Sequence, residues 1–181
     1  TTVGLAFAAL IGSSLVGMLL LLGQRSPLWS LRVSCRAFLE LIRETPLLVQ
    51  LLIGYFVVLA PLLSRPLMAS GWNDKWVIGV ILLSLFNGAY LGEILRGGVD
   101  SIPQGQWDSA RAVGFSPWQI QRHVILPQAL RRVLPAIAGQ FVSMIKDSSL
   151  LSVIGVQEFA YQAKSYTAQT YGGLEAYLPL A

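Results

Sequence analysis

Charge is scarce in this chain. Only 12% of its 181 residues are Asp, Glu, Lys or Arg, about half the ~25% usual in soluble globular domains. A deficit of this size argues against an ordinary water-soluble domain and points to lipid as the solvent. Cysteine is scarcer still. Cys35 stands alone, which excludes an internal disulfide, and beside Arg32 and Arg36 it reads as an inert thiol. His123 is the only histidine, which argues against a His-based metal site. There is no Gly-x-Ser-x-Gly elbow, no paired metal-ligand motif and no Walker-type phosphate loop. The chain is therefore not expected to hydrolyse ATP itself, and a membrane enzyme would find few groups to work with. The net charge of +4 is compatible with nucleic acid, but its distribution fits membrane topology better and no nucleic-acid partner is expected. The chain opens without Met and both ends fall inside apolar runs, so both look trimmed. Residues 1–22 are too long, and too poor in leading basic residues, for a signal peptide.

Hydrophobic residues make up 54% of the chain. A bilayer-crossing helix needs about 20 largely apolar residues. Such runs occupy 2–22, about 47–63 (with a possible extension back through 37–42), 76–95 and, less purely, 133–154. A fifth begins near Leu174 and is cut off at Ala181. In hydrocarbon only helices and closed barrels satisfy the backbone, and the runs lack strict alternation, so helices are expected. Basic residues then set the orientation. Arg25, Arg32, Arg36 and Arg43 lie in 23–46, and Arg96, Arg111, Arg122, Arg131 and Arg132 lie in 96–132. These two segments are expected in the cytoplasm and the N-terminus outside.

The segment 96–132 is far longer than the two to eight residues that usually join helices. It reads as two short helices. The first covers about 103–113, with Pro103 early and Gly114 as the left-handed residue after its end. The second opens on Ser116-Pro117-Trp118-Gln119, a capping box, and is expected to end before Pro127. Small or apolar residues crowd the joint: Ser109, Ala110, Ala112, Val113, Gly114 and Phe115. Such a knob suits a partner's groove. A solvated amphipathic loop on lipid headgroups, anchored by Trp107 and Trp118, is the competing expectation.

The residues of this segment also carry a resemblance. Gln106-Trp107-Asp108-Ser109-Ala110-Arg111-Ala112-Val113-Gly114, followed by Val124-Ile125-Leu126-Pro127, resembles the cytoplasmic signature of ABC importer permeases: Glu-Ala-Ala, three residues, Gly, nine residues, Ile, one residue, Leu-Pro. Asp108 replaces the Glu, Ser109 the first Ala and Val124 the Ile, while Ala110, Gly114, Leu126 and Pro127 match in type and spacing. Arg43-Glu44-Thr45-Pro46-Leu47-Leu48-Val49-Gln50, Asn87-Gly88-Ala89-Tyr90 with Glu93 and Arg96-Gly97-Gly98, and Lys146-Asp147-Ser148-Ser149-Leu150 look like the polar amino acid uptake permeases. Membership would imply an all-α membrane protein, a five-span permease bundle with its fifth span truncated, forming one transmembrane domain over 1–181. It would also imply a second permease subunit (the same or a relative), two ATPase subunits carrying ATP and Mg, and an extracytoplasmic solute-binding protein. The chain itself would bind no cofactor and sit in the bacterial inner membrane. The coupling residues would be Asp108, Ser109, Ala110, Arg111, Ala112, Gly114, Phe115, Leu126 and Pro127.

Charged residues in and beside the spans offer candidates for cargo contact. Glu40, Arg43 and Glu44 share one helical face, as do Glu93 and Arg96, and local pairing explains both sets. Lys146 and Asp147 are adjacent and cannot face each other on a helix, and charge inside a span is costly without a partner. A zwitterionic amino acid needs both signs, so Asp147 is a candidate for its ammonium and Lys146 for its carboxylate, or for Glu93. A structural ion pair between spans is the alternative. Ser84 and Asn87 are candidates for the same path. A passive channel or a membrane enzyme remain the rival functions. A channel would show a selectivity ring and need no docking elbow, and dependence of uptake on ATP and a partner ATPase separates all three.

Overall fold

The computed structural model describes residues 2–72, 74–170 and 175. Every element among them is helical. Helix α1 (Thr2–Gln24) contains no charged residue. Helix α2 (Trp29–Glu44) is amphipathic, burying Leu39 and Ile42 against Ala89. Helix α3 (Leu47–Ala69) follows, then α4 (Asp74–Asp100) and the short α5 (Gln104–Ala112). Helix α6 covers 117–147, joining Pro117–Gln119, a π-helical stretch Ile120–Ile125 and Leu126–Asp147. A 3₁₀ stretch, Ser148–Ile154, leads to α7 (Phe159–Thr170). Among the described residues α1, α3 and α4 are long and apolar enough to cross a bilayer.

Several expectations change in detail. The second span does not extend back through 37–42. Thr45 is extended, with φ −112° and ψ 141°, because the ring of Pro46 disfavours the α region for the residue before it. The Gln50 side chain fastens this break. Its Nε2 donates to the Ile42 carbonyl (2.6 Å), the Thr45 hydroxyl (2.6 Å) and the Thr45 carbonyl (3.0 Å), serving acceptors left open where α2 stops. The second cytoplasmic helix does not end before Pro127 but runs on through it. Proline removes a donor and crowds the preceding turn, and the wider π turn at Ile120–Ile125 directly precedes it. The same arrangement recurs in α3, where π-helical Ile53–Leu59 precedes Pro61. The stretch 133–154 is not one α-helix. The α geometry gives way at Ser148, whose hydroxyl donates to the Ile145 carbonyl (2.7 Å), so the fourth run is a helix plus a tighter coil. The fifth run, near Leu174, lies outside the described residues.

The core forms where α1 crosses α4. A Cβ added at Gly17 would lie 3.0 Å from the backbone N of Gly92, and one at Gly92 would lie 3.2 Å from the Gly17 carbonyl oxygen. Association inside lipid gains little from apolar burial, so small residues that let backbones approach take its place. Leu5, Leu51, Ile78, Leu83, Met144 and Leu151 fill a cluster further along the contact of α1 with α4, where α3, α6 and the 3₁₀ stretch join it.

Candidate functional site: the Gly114 elbow and the polar residues of the spans

The end of α5 is a complete Schellman closure. Gly114 has φ +86°, its N–H donates to Arg111 (2.9 Å), and the Phe115 N–H donates to Ala110 (3.1 Å). Two residues later the capping box closes as the sequence predicts. The Gln119 N–H donates to the Ser116 hydroxyl (3.4 Å) and the Ser116 N–H to the Gln119 side-chain oxygen (2.8 Å). The chain therefore reverses within a few residues, with hydrogen bonds on both sides of the turn.

This elbow has an inner and an outer side. Ala110 faces inward with Val99, Ile102, Ile120, Ile125 and Ala129, and Trp107 packs against them. Gln128 Nε2 donates to Gln106 Oε1 (3.0 Å), and Arg132 donates to the Ser101 carbonyl and hydroxyl, tying α6 to α5 and to the end of α4. Asp108, Ser109, Arg111, Ala112, Gly114 and Phe115 face outward, as do Leu126 and Pro127. Asp108 accepts from Gln104 (3.3 Å) and pairs with Arg111 (3.4 Å), both local contacts. Val113 is 76% exposed and Trp118 67% exposed. The two tryptophans, equivalent in the sequence, thus divide: Trp107 belongs to the small core beneath the elbow and Trp118 to its surface.

The candidate cargo residues do not gather in one cavity. Asn87 is fully buried. Its Nδ2 donates to the Leu83 carbonyl (3.3 Å) and its Oδ1 accepts from Gln140 Nε2 (2.7 Å). Ser84 is buried and donates to the Ala9 carbonyl at 3.5 Å. Lys146 is exposed and Asp147 half-buried, and neither has an ion pair among the described residues. Glu93 pairs with Arg96 (2.8 Å) and with Arg43 of α2 (3.5 Å), so Arg43 reaches across to another helix instead of staying with Glu40. Gln140 was missed in the sequence; a lone amide in the apolar part of 133–145 was the available signal.

Apolar helices packed through small residues, buried amides bonded between helices and a polar elbow with an apolar face define a polytopic helical membrane protein. The family of binding-protein-dependent transport system inner membrane components matches residues 13–174, and the chain belongs to that family. The glutamine transport system permease protein GlnP of Escherichia coli (strain K12) is 34% identical over 99% of this chain and 80% of its own length. The nopaline transport system permease protein NocM of Agrobacterium fabrum is 33% identical over 98% of this chain and 75% of its own. A crystal structure of an amino acid ABC transporter with histidines superposes with a TM-score of 0.84 at 34% identity, covering 98% of this chain and 79% of that one. An inward-facing MetNI methionine ABC transporter shares the fold at 18% identity, with a TM-score of 0.76 over 99% of this chain and 84% of that one.

Proposed function

We propose that this chain is a membrane-spanning subunit of an importer for a polar amino acid, driven by ATP bound with Mg and hydrolysed on two separate subunits. The observation that carries the coupling is the Gly114 elbow. Its closure is internally hydrogen-bonded, yet Val113 and Trp118 stay exposed on a polar segment, as a knob seated in a partner's groove requires. Membership of the permease family and likeness to glutamine and nopaline permeases support the cargo class. The remaining partners are a second permease, identical or related, and an extracytoplasmic binding protein. Residues 1–181 form one transmembrane domain, with 96–132 as its cytoplasmic coupling segment and the N-terminus outside.

The coupling is tested with Gly114→Asp in the assembled complex. The substitution strains a left-handed backbone position by about 1–2 kcal/mol and places a charge at the contact. ATP hydrolysis should lose its dependence on cargo, or the ATPase should dissociate. Normal assembly with normal uptake would overturn the assignment. Topology is tested with single cysteines at Arg111 and Lys164 in a Cys35→Ser background, which should label from opposite sides of the membrane with an impermeant thiol reagent.

Within the membrane, Asp147 is assigned to the cargo's ammonium, with Lys146, Asn87, Ser84 and Glu93 along the same route. Asp147, half-buried and without an ion pair among the described residues, supports this, because a carboxylate in a span without a partner is costly. Asp147→Asn should preserve assembly and reduce uptake by purified complex in liposomes. Wild-type rate and apparent affinity would remove Asp147 from the route.

A further inference from the structure

Helix α2 sorts its residues by face. Leu31, Cys35, Phe38 and Ile42 fall three or four residues apart on one side, and Arg32, Arg36, Glu40 and Arg43 on another. Trp29, at its start, is 71% exposed. An amphipathic helix with arginines on its polar face and a tryptophan at its end suits the boundary between headgroups and acyl chains. Packing fixes it against the spans. Gly23, near the end of α1, lets α2 come close, since a Cβ there would collide with the Cys35 sulfur. Arg43 ties the far end of α2 to Glu93 (3.5 Å). Between α1 and α2 this packing leaves a cavity of about 940 Å³. Its walls are almost wholly apolar and include Leu19, Leu20, Leu31, Phe38 and Leu85 of α4.

The polar groups of this cavity stand where α1 stops. Arg25 and Ser26 line it there. Arg25 gives one guanidinium nitrogen to Asp100 (2.8 Å) and keeps its other donors. Ser26 Oγ accepts the Leu28 N–H (3.2 Å), which leaves its own proton to give. The half-buried Arg32 follows Leu31 and makes no ion pair among the described residues. No Asp or Glu occurs between Gly23 and Leu39, while Arg25, Arg32 and Arg36 do. An apolar cavity that ends in cationic donors, where a span meets an interfacial helix, complements a molecule with a hydrocarbon tail and an anionic head. We propose that it binds an anionic phospholipid of the cytoplasmic leaflet, with one acyl chain between α1 and α2 and the phosphate at Arg25, Ser26 and Arg32. The cavity shares no lining residue with the elbow or with the residues assigned to cargo. Only the choice of leaflet rests on the orientation proposed above. Arg25 joins the end of α1 to Asp100, and Arg43 joins α2 to Glu93, so the bound lipid braces α1, α2 and α4 at one face of the membrane.

The test uses the permease purified in its native assembly and placed in phosphatidylcholine liposomes. A trace of phosphatidylglycerol carries a photoreactive diazirine in one acyl chain. After illumination, digestion and mass spectrometry locate the adducts. In the wild type they should concentrate on 16–38. Replacing part of the bulk lipid with unlabelled phosphatidylglycerol should displace them, and replacing the same part with phosphatidylethanolamine should not. Arg32→Gln should lower labelling of that segment roughly fivefold, equivalent to about 1 kcal/mol, and Arg32→Lys should keep most of it. Ser34→Trp leaves the charge unchanged and fills the cavity, and it should lower labelling at least as much. Ser34→Leu replaces it if that variant fails to assemble. Added phosphatidylglycerol should raise the melting temperature of the wild type and not of Arg32→Gln or Ser34→Trp. Adducts spread evenly over the lipid-facing helices would overturn the site. So would loss in Arg32→Gln with none in Ser34→Trp, the result of general attraction of anionic lipid to a basic surface. Absence of adducts on 16–38, with loss of permease dimers in Ser34→Trp, would overturn it and make the cavity a contact between subunits. None of these readouts depends on amino acid uptake, so failure of the importer assignment leaves them standing.

Discussion

The α1–α4 crossing and the Gly114 elbow both depend on glycine, for opposite physical reasons. At the crossing, Gly17 and Gly92 contribute the absence of a side chain, so that two backbones touch. At the elbow, Gly114 contributes a backbone conformation, φ +86°, in open space where a Cβ would meet nothing within 4 Å. Around the crossing, polar groups are buried and satisfied across the interface, as Asn87 is by Gln140. Around the elbow they are satisfied within a few residues, by the Schellman closure and the capping box. The first region spends its surface on its own fold. The second closes on itself and keeps apolar surface exposed, which is what a docking element needs.

Substitutions can break this comparison, the largest effect coming first. Gly92→Leu drives a side chain into the Gly17 backbone. Overpacking usually costs about 1–3 kcal/mol, and more is expected where the obstacle is main chain. Extraction in mild detergent followed by size-exclusion chromatography should show little assembled permease. Asn87→Leu leaves the Gln140 amide without its acceptor at a cost of about 1–3 kcal/mol. The melting temperature in detergent should fall, and Asn87→Leu combined with Gln140→Leu should recover part of it.

Gly114→Ala strains the elbow by about 1–2 kcal/mol but leaves the spans untouched. The ratio of cargo taken up to ATP hydrolysed should drop while the melting temperature holds. Equal loss of melting temperature in Gly114→Ala and Gly92→Leu would show that the two regions are one cooperative unit. Ser116→Ala removes half of the capping box for about 1 kcal/mol. Its effect on coupling should add less than fully to that of Gln119→Leu, because both act on one reciprocal pair.

The elbow was legible in the sequence because its determinants are local. Proline, glycine, serine and glutamine act within three or four residues, and the capping box and the left-handed Gly114 stand where their spacing puts them. The boundaries at Pro127 and Ser148 were not legible in the same way. Pro127 signals a helix end, yet the π turn at Ile120–Ile125 carries the helix through it. Ser148 lies in an apolar run that hydropathy alone treats as continuous.

By itself the sequence determined the solvent, the helical class and the elbow, since these follow from composition and from contacts between near neighbours along the chain. Tertiary structure decided which polar groups are already satisfied. Arg96 pairs with Glu93 within α4, as their spacing suggests, but Arg43 reaches Glu93 only because α4 lies against α2. Arg36 and Glu40 stay exposed on α2 with no ion pair among the described residues. The pairing of α2 with α4 depends on the distance between residues 50 positions apart, and that distance is set only when the helices come into contact.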